Sequence, residues 1–212
     1  MKLNKIASLT AIALGTSILS QAAMADWSAN VGLMSDYHFR GIQQTESASA
    51  NGGVDFESGG FYFGTWGAEV EDGLEIDIYG GYGFELDNGL GLSAGLTSYQ
   101  YTGDFDSAYN EVNFGLSYDF ISVEYTIGEW DGEVGNESAT ESDYTFLAVT
   151  LEHNGFYGTI GTWGDEFEGE YGEIGYGTEV AGFDVGIAVV ISGSDLDDSE
   201  SLYFTIGKSF DL

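Results

Sequence analysis

The stretch Leu74-Glu75-Ile76-Asp77-Ile78-Tyr79, resumed as Tyr82-Gly83-Phe84-Glu85-Leu86, places apolar and polar side chains in strict alternation. Successive side chains of an extended chain point to opposite faces, so Leu74, Ile76, Ile78, Tyr82, Phe84 and Leu86 share an apolar face. Glu75, Asp77, Tyr79 and Glu85 share the opposite, polar face. The same period of two returns in Val112-Phe114-Leu116-Tyr118, Ile121-Val123-Tyr125-Ile127, Phe183-Val185-Ile187-Val189-Ile191 and Leu202-Phe204-Ile206. It predicts strands near 27–39, 48–57, 60–70, 74–86, 90–100, 108–119, 121–130, 143–152, 156–164, 171–180, 183–192 and 201–212. Both faces are mixed in 60–70, 143–152 and 156–164.

The connections alternate as well. Tight turns fall at Ser58-Gly59, Asp87-Asn88-Gly89, Phe120, His153-Asn154-Gly155 and Ala181-Gly182, and longer polar loops at 41–47, 71–73, 101–107, 131–142, 165–170 and 193–200. Short turns on one rim, longer loops on the other, an even strand count and segments of about ten residues describe a transmembrane barrel. The expected fold is all-β: a single antiparallel barrel of about twelve strands, with both termini in the periplasm. A soluble exported sandwich would show the same alternation and is the structural rival.

Composition removes other classes. The 212 residues contain no Cys and no Pro, 33 Gly, 14 Tyr and 14 Phe, and 36 Asp plus Glu against four Lys plus Arg. A net charge of −32 excludes a nucleic-acid partner, which needs a basic stripe to displace counterions. Without Cys there is neither a disulfide framework nor a thiolate metal site. With 43% hydrophobic and 15% aromatic residues, the acidity is not that of a disordered chain.

Residues 1–25 read as a cleaved secretory signal. Lys2 and Lys5 precede an apolar run from Ile6 to Leu19, and Ala23-Met24-Ala25 is a small-x-small cleavage site before Asp26. Residues 26–212 then form the barrel, with Arg40 and Lys208 as its permanent bases. The closing stretch, with Thr205, Gly207, Phe210 and Leu212, resembles the carboxy-terminal signal that outer-membrane assembly machinery recognises, although many such proteins end in Phe.

Ser28-Ala29-Asn30-Val31-Gly32-Leu33-Met34-Ser35-Asp36-Tyr37-His38-Phe39-Arg40-Gly41-Ile42-Gln43-Gln44-Thr45 resembles the opening of the TorF family, a proteobacterial outer-membrane family long described as of unknown function. Phe61-Tyr62-Phe63-Gly64-Thr65-Trp66-Gly67 resembles its second characteristic stretch. The resemblance implies a barrel and an inferred pore, with no settled substrate and no catalytic residues.

On the first predicted strand, Trp27, Ala29, Val31, Leu33, Tyr37 and Phe39 share the lipid face, which sends Asp36, His38 and Arg40 inward. An interior Arg needs acidic partners, since an unpaired buried charge is costly. Either it braces the wall, or with His38 it shapes a constriction that filters solutes. The other lumen candidates are Glu75, Asp77, Glu85, Glu111, Glu124, Glu173 and Glu179, with Tyr79, Tyr99 and Tyr109; carboxylates around a pore favour cations. Trp27, Trp66, Trp130, Trp163, Tyr37, Tyr118 and Phe210 fall near strand ends, where aromatic girdles meet lipid headgroups.

No cofactor is expected, and no metal: Asp104, Asp106, Asp195, Asp197 and Asp198 lack calcium-loop spacing and read as solvated loops. Asn136-Glu137-Ser138 fits a glycosylation acceptor but carries little weight in bacterial export. Nothing pairs His38 or His153 with a particular nucleophile, so no enzyme is expected. The expected function is passive, cation-preferring diffusion of small ions or solutes through an outer-membrane pore. Its partners are membrane lipid and, during biogenesis, the assembly machinery; the sequence leaves the oligomeric state open. The alternative is a closed barrel that binds through its loops or braces the envelope.

Overall fold

Alternation over some ten residues is a strand with one face to bury, and a sheet of such strands hides its unpaired edges by closing on itself. The computed structural model describes residues 26–135 and 140–212. The predicted leader, 1–25, and the Asn136-Glu137-Ser138 motif lie outside the described residues.

The strands are β1 (Asp26–Met34), β2 (His38–Phe39), β3 (Ile42–Gln43), β4 (Ser49–Ser58), β5 (Phe61–Val70), β6 (Gly73–Glu85) and β7 (Leu90–Thr102). They continue as β8 (Tyr109–Tyr118), β9 (Ile121–Trp130), β10 (Ser142–His153), β11 (Phe156–Asp165), β12 (Glu170–Val180), β13 (Phe183–Ser192) and β14 (Glu200–Asp211). Twelve of them, β1 and β4 to β14, form one closed antiparallel barrel in which each wall strand pairs with the next. β1 seals it: Val31 lies opposite Gly52 of β4 on one side and Lys208 of β14 on the other. Closure rules out the sandwich.

The turn rim is built from residues that accept positive φ. Asn154 and Gly155, at φ 53° and 83°, join β10 to β11, the left-handed pair that matches the twist of a two-residue hairpin. Asp26 and Leu212 lie at this rim, where the Leu212 amide donates to the Trp27 carbonyl at 2.9 Å. The longer connections lie at the opposite, loop rim.

The apolar face points outward. Ile78, Leu96, Phe114, Ile160 and Ile174 are all exposed, the last two by 71%. A continuous belt of exposed branched and aromatic side chains far exceeds the scattered apolar residues of a soluble surface. In the strands with mixed patterns, Tyr62, Trp66, Tyr144, Phe146, Tyr157 and Trp163 turn inward, while Phe61, Phe63, Leu147, Val149 and Ile160 turn outward.

The first strand departs from expectation. The wall strand ends at Met34, not at residue 39, and residues 35–48 fold into the barrel around the small hairpin β2–β3. Ser35 and Asp36 break the alternation, so Tyr37 and Phe39 do not continue the lipid face. Tyr37 is fully buried, and Phe39 packs with the interior clusters.

Candidate functional site

The inward hairpin is the centre of the site. Its turn is Arg40-Gly41, at φ 47° and 87°; positive φ is uncommon for a long side chain and persists only where surroundings hold it. A Cβ at Gly41 would collide with the Tyr171 ring, so only glycine lets the turn approach β12 this closely.

Attachments run around nearly the whole wall. Tyr37 donates from its hydroxyl to Glu75 Oε1 of β6 at 2.6 Å and packs on Trp66 of β5. Phe39 meets Tyr99 of β7 and Trp163 of β11 edge-on. The Trp163 indole donates to the Arg40 carbonyl at 3.2 Å, and the Ser192 hydroxyl of β13 donates to the Gly41 carbonyl. The Gln43 amide donates to Asp197 Oδ2 at 2.7 Å, and the Gln44 carbonyl accepts from the Glu71 amide at 2.9 Å. His38 stacks on Tyr203 of β14.

Arg40 reaches furthest. Its guanidinium contacts Glu111 of β8 at 2.5 and 3.2 Å, Glu124 of β9 at 2.8 Å and Thr126 Oγ1 at 3.4 Å. Its central carbon stands 4.3 Å from the Phe146 ring centre, 4.9 Å from Phe39 and 5.6 Å from Trp163. Burial disfavours the cation, but Glu111 first and Glu124 further on raise its pKa well above the usual value, because opposite charges outweigh desolvation. Burial, then Glu75 and Asp77, likewise raise the Tyr37 hydroxyl, which keeps it a donor.

Apart from Glu124, which pairs with Arg40, the predicted lumen carboxylates of the wall divide into three sets. Glu75, Glu111 and Glu173 are buried or half-buried and accept from tyrosine hydroxyls. Glu75 also accepts from Tyr101 at 2.9 Å. Glu111 accepts from Tyr99, Tyr144 and Asn113 at 3.1, 2.8 and 2.8 Å, and Glu173 from Tyr157 and Tyr203 at 2.6 and 3.0 Å. Asp77 is fully buried, with neither carboxylate oxygen hydrogen-bonded among the described residues. Glu85 and Glu179 are exposed near the turn rim. Tyr79 donates to Asp55 and Tyr109 to Asp106.

Several expectations are corrected. Arg40 is not an inward residue of the first wall strand but the turn of the hairpin, which carries it across the lumen to Glu111 and Glu124, while Asp36 takes His38 Nε2 at 3.0 Å. Four of the proposed girdle residues are interior. Tyr37, Trp66, Trp130 and Trp163 pack around the hairpin, while Trp27, Tyr118 and Phe210 remain exposed on the outside. The lumen is therefore not lined chiefly by acids. Tyr144, Phe146, Ala148 and Trp163 form an apolar cluster with Phe39 and Ile42 of the hairpin, since apolar hairpin residues need apolar partners to leave water.

Thr205 and Gly207 turn inward on β14, whereas Phe210 and Leu212 are exposed. Asp106 accepts from Tyr109 and Trp130, and Asp197 from the hairpin, so both acids act in holding loops. Among the described residues no group of three or more His, Asp or Glu is arranged to hold a metal ion. Sequence reading missed Trp66, Trp130, Phe146 and Trp163 as interior residues. The available signal was Arg40-Gly41 flanked by His38-Phe39 and Ile42-Gln43, a hairpin pattern around the turn.

The chain is similar in structure to a membrane protein from work on the mechanism of in-meso crystallisation, with 9% identity, a TM-score of 0.61 and coverage of 88% of this chain and 84% of that one. This shows a shared fold. Weaker likenesses are to the outer membrane protein OpdK of Pseudomonas aeruginosa (11% identity, TM-score 0.41) and to OccAB3 of Acinetobacter baumannii (12%, 0.44). They cover 78% and 86% of this chain, which spans 58% and 60% of those longer proteins. No curated protein matches the sequence. The model of the family described as "Bacterial protein of unknown function (Gcw_chp)" matches residues 20–163, and the chain belongs to that family.

Proposed function

We propose that the protein is a porin-like barrel of the outer membrane for passive, cation-preferring diffusion of small solutes, restricted at rest by the inward hairpin. The carrying observation is the closed wall itself, apolar outside and polar, carboxylate-bearing inside. A soluble protein has no use for such a belt, whereas a barrel in lipid requires it. In this reading residues 1–25 are the cleaved leader, the turn rim is periplasmic, and the loops and hairpin root face outward. Thr205, Gly207, Phe210 and Leu212 serve recognition by the assembly machinery, and the TorF resemblance belongs to the same reading. Lumen carboxylates attract cations in a low-dielectric tube. The chemistry needs no catalytic residue.

The hairpin favours a second reading, a permanently closed barrel, because it touches the wall on nearly every side. Planar-bilayer recordings with purified, heat-modifiable protein separate the two. The channel reading expects conductance and a cation-directed reversal potential under a KCl gradient. Silent folded barrels would leave the closed reading, and anion selectivity would overturn the acidic-lumen account.

A further inference from the structure

Arg40 belongs to a turn, yet all but one of the groups around its guanidinium belong to the wall. Glu111, Glu124, Thr126, Phe146 and Trp163 stand on β8, β9, β10 and β11; Phe39 alone comes from the hairpin. A fork onto one carboxylate, a second carboxylate and aromatic faces are what a guanidinium binds best. The pocket is also organised without its present occupant. Tyr99, Tyr144 and Asn113 each hold the Glu111 carboxylate, and its side chain is fully buried.

The occupant reaches the pocket from a hairpin whose own ladder is short. The β2–β3 ladder has only two residue pairs, and Arg40 sits at φ 47°. Two carboxylates, Glu111 and Glu124, face one cation. A second cation of the same shape therefore meets a preformed, charge-rich receptor, with Arg40 as its competitor.

We propose that this wall pocket is a binding site for guanidinium-bearing solutes, which displace Arg40 and thereby release the hairpin from across the lumen. Release as an opening event rests on the channel reading; binding does not.

The test uses the purified full barrel in detergent, with n-butylguanidinium chloride as probe and n-butylammonium chloride and NaCl as ionic-strength controls. In Arg40→Ala the pocket is vacant. Butylguanidinium should then raise the temperature at which heat-modifiable migration is lost, saturably and more than butylammonium does. Wild type should need at least about tenfold more probe, since its own fork competes. Adding Glu111→Gln should abolish the rescue. If Arg40→Ala does not assemble, Arg40→Lys keeps the charge without the fork and should bind the probe at lower concentration than wild type. An absent response, or one equal for all three salts, would overturn the site. In bilayers the probe should raise wild-type conductance. Conductance indifferent to it overturns the release step, whereas saturable rescue in barrels silent under every condition upholds the site and removes the channel reading.

Discussion

The two halves of the lumen use the same residue types to opposite ends. Toward the loop rim, Glu75 and Glu111 are buried and accept from Tyr37, Tyr101, Arg40, Tyr99, Tyr144 and Asn113. Toward the turn rim, Glu85 and Glu179 are exposed. Carboxylates of the first kind tie a plug to a wall; those of the second kind present charge to water. Counting acids therefore says little about a channel until their partners are known. A desolvated, hydrogen-bonded carboxylate acts as a structural joint, and a hydrated one contributes chiefly to the field.

The largest effect should come from the joint. Glu111→Leu removes the acceptor of four donors and strands Arg40 beside a single carboxylate, a loss of about 3–5 kcal/mol in reversible urea unfolding from detergent. Glu85→Leu, in the other half, should stay within about 0.5 kcal/mol; equal losses would dissolve the contrast. Next comes the wall. Arg at the outward positions Ile78 or Phe114 should cost ~2–4 kcal/mol if near the bilayer midplane. Arg at the inward position Glu179 should assemble at near wild-type yield, and equal defects would mean that the faces are reversed.

Smaller again is Tyr37→Phe, which removes one of two hydroxyl donors to the buried Glu75 and should cost about 1–3 kcal/mol by the same unfolding measurement. A neutral result would show that Tyr101 alone satisfies that carboxylate. The smallest effect on stability should be the most visible in transport. Joint Glu85→Gln and Glu179→Gln should leave unfolding unchanged while moving the reversal potential toward zero. That change should fade as the Debye length falls from about 10 Å at 0.1 M salt to about 3 Å at 1 M. An unchanged reversal potential would assign selectivity to the hairpin half.

The wall was legible because each strand carries its own instruction. Leu74 to Leu86 declares both faces by itself, and its expected span differs from β6 by a residue at each end. Strands 60–70, 143–152 and 156–164 were ambiguous for a physical reason. Trp66, Phe146 and Trp163 are apolar residues on the lumen face, so hydrophobicity no longer separates inside from outside. The same cause misassigned the aromatic girdle. Near a strand end an aromatic ring suits headgroups and a packed plug equally well, and only its neighbours decide between them.

By itself the sequence determined the strand period, the twelve wall segments, the two kinds of rim and an interior rich in carboxylates, because these are local consequences of alternation, turn chemistry and charge. Only the tertiary structure decided that residues 35–48 leave the wall, and that Arg40 passes over the nearby Asp36 to reach Glu111 and Glu124, 71 and 84 residues further along the chain. A single arginine among many acids has many admissible partners in sequence. Closing the barrel leaves it two, Glu111 and Glu124, by bringing β8, β9, β10 and β11 around a single point in the lumen.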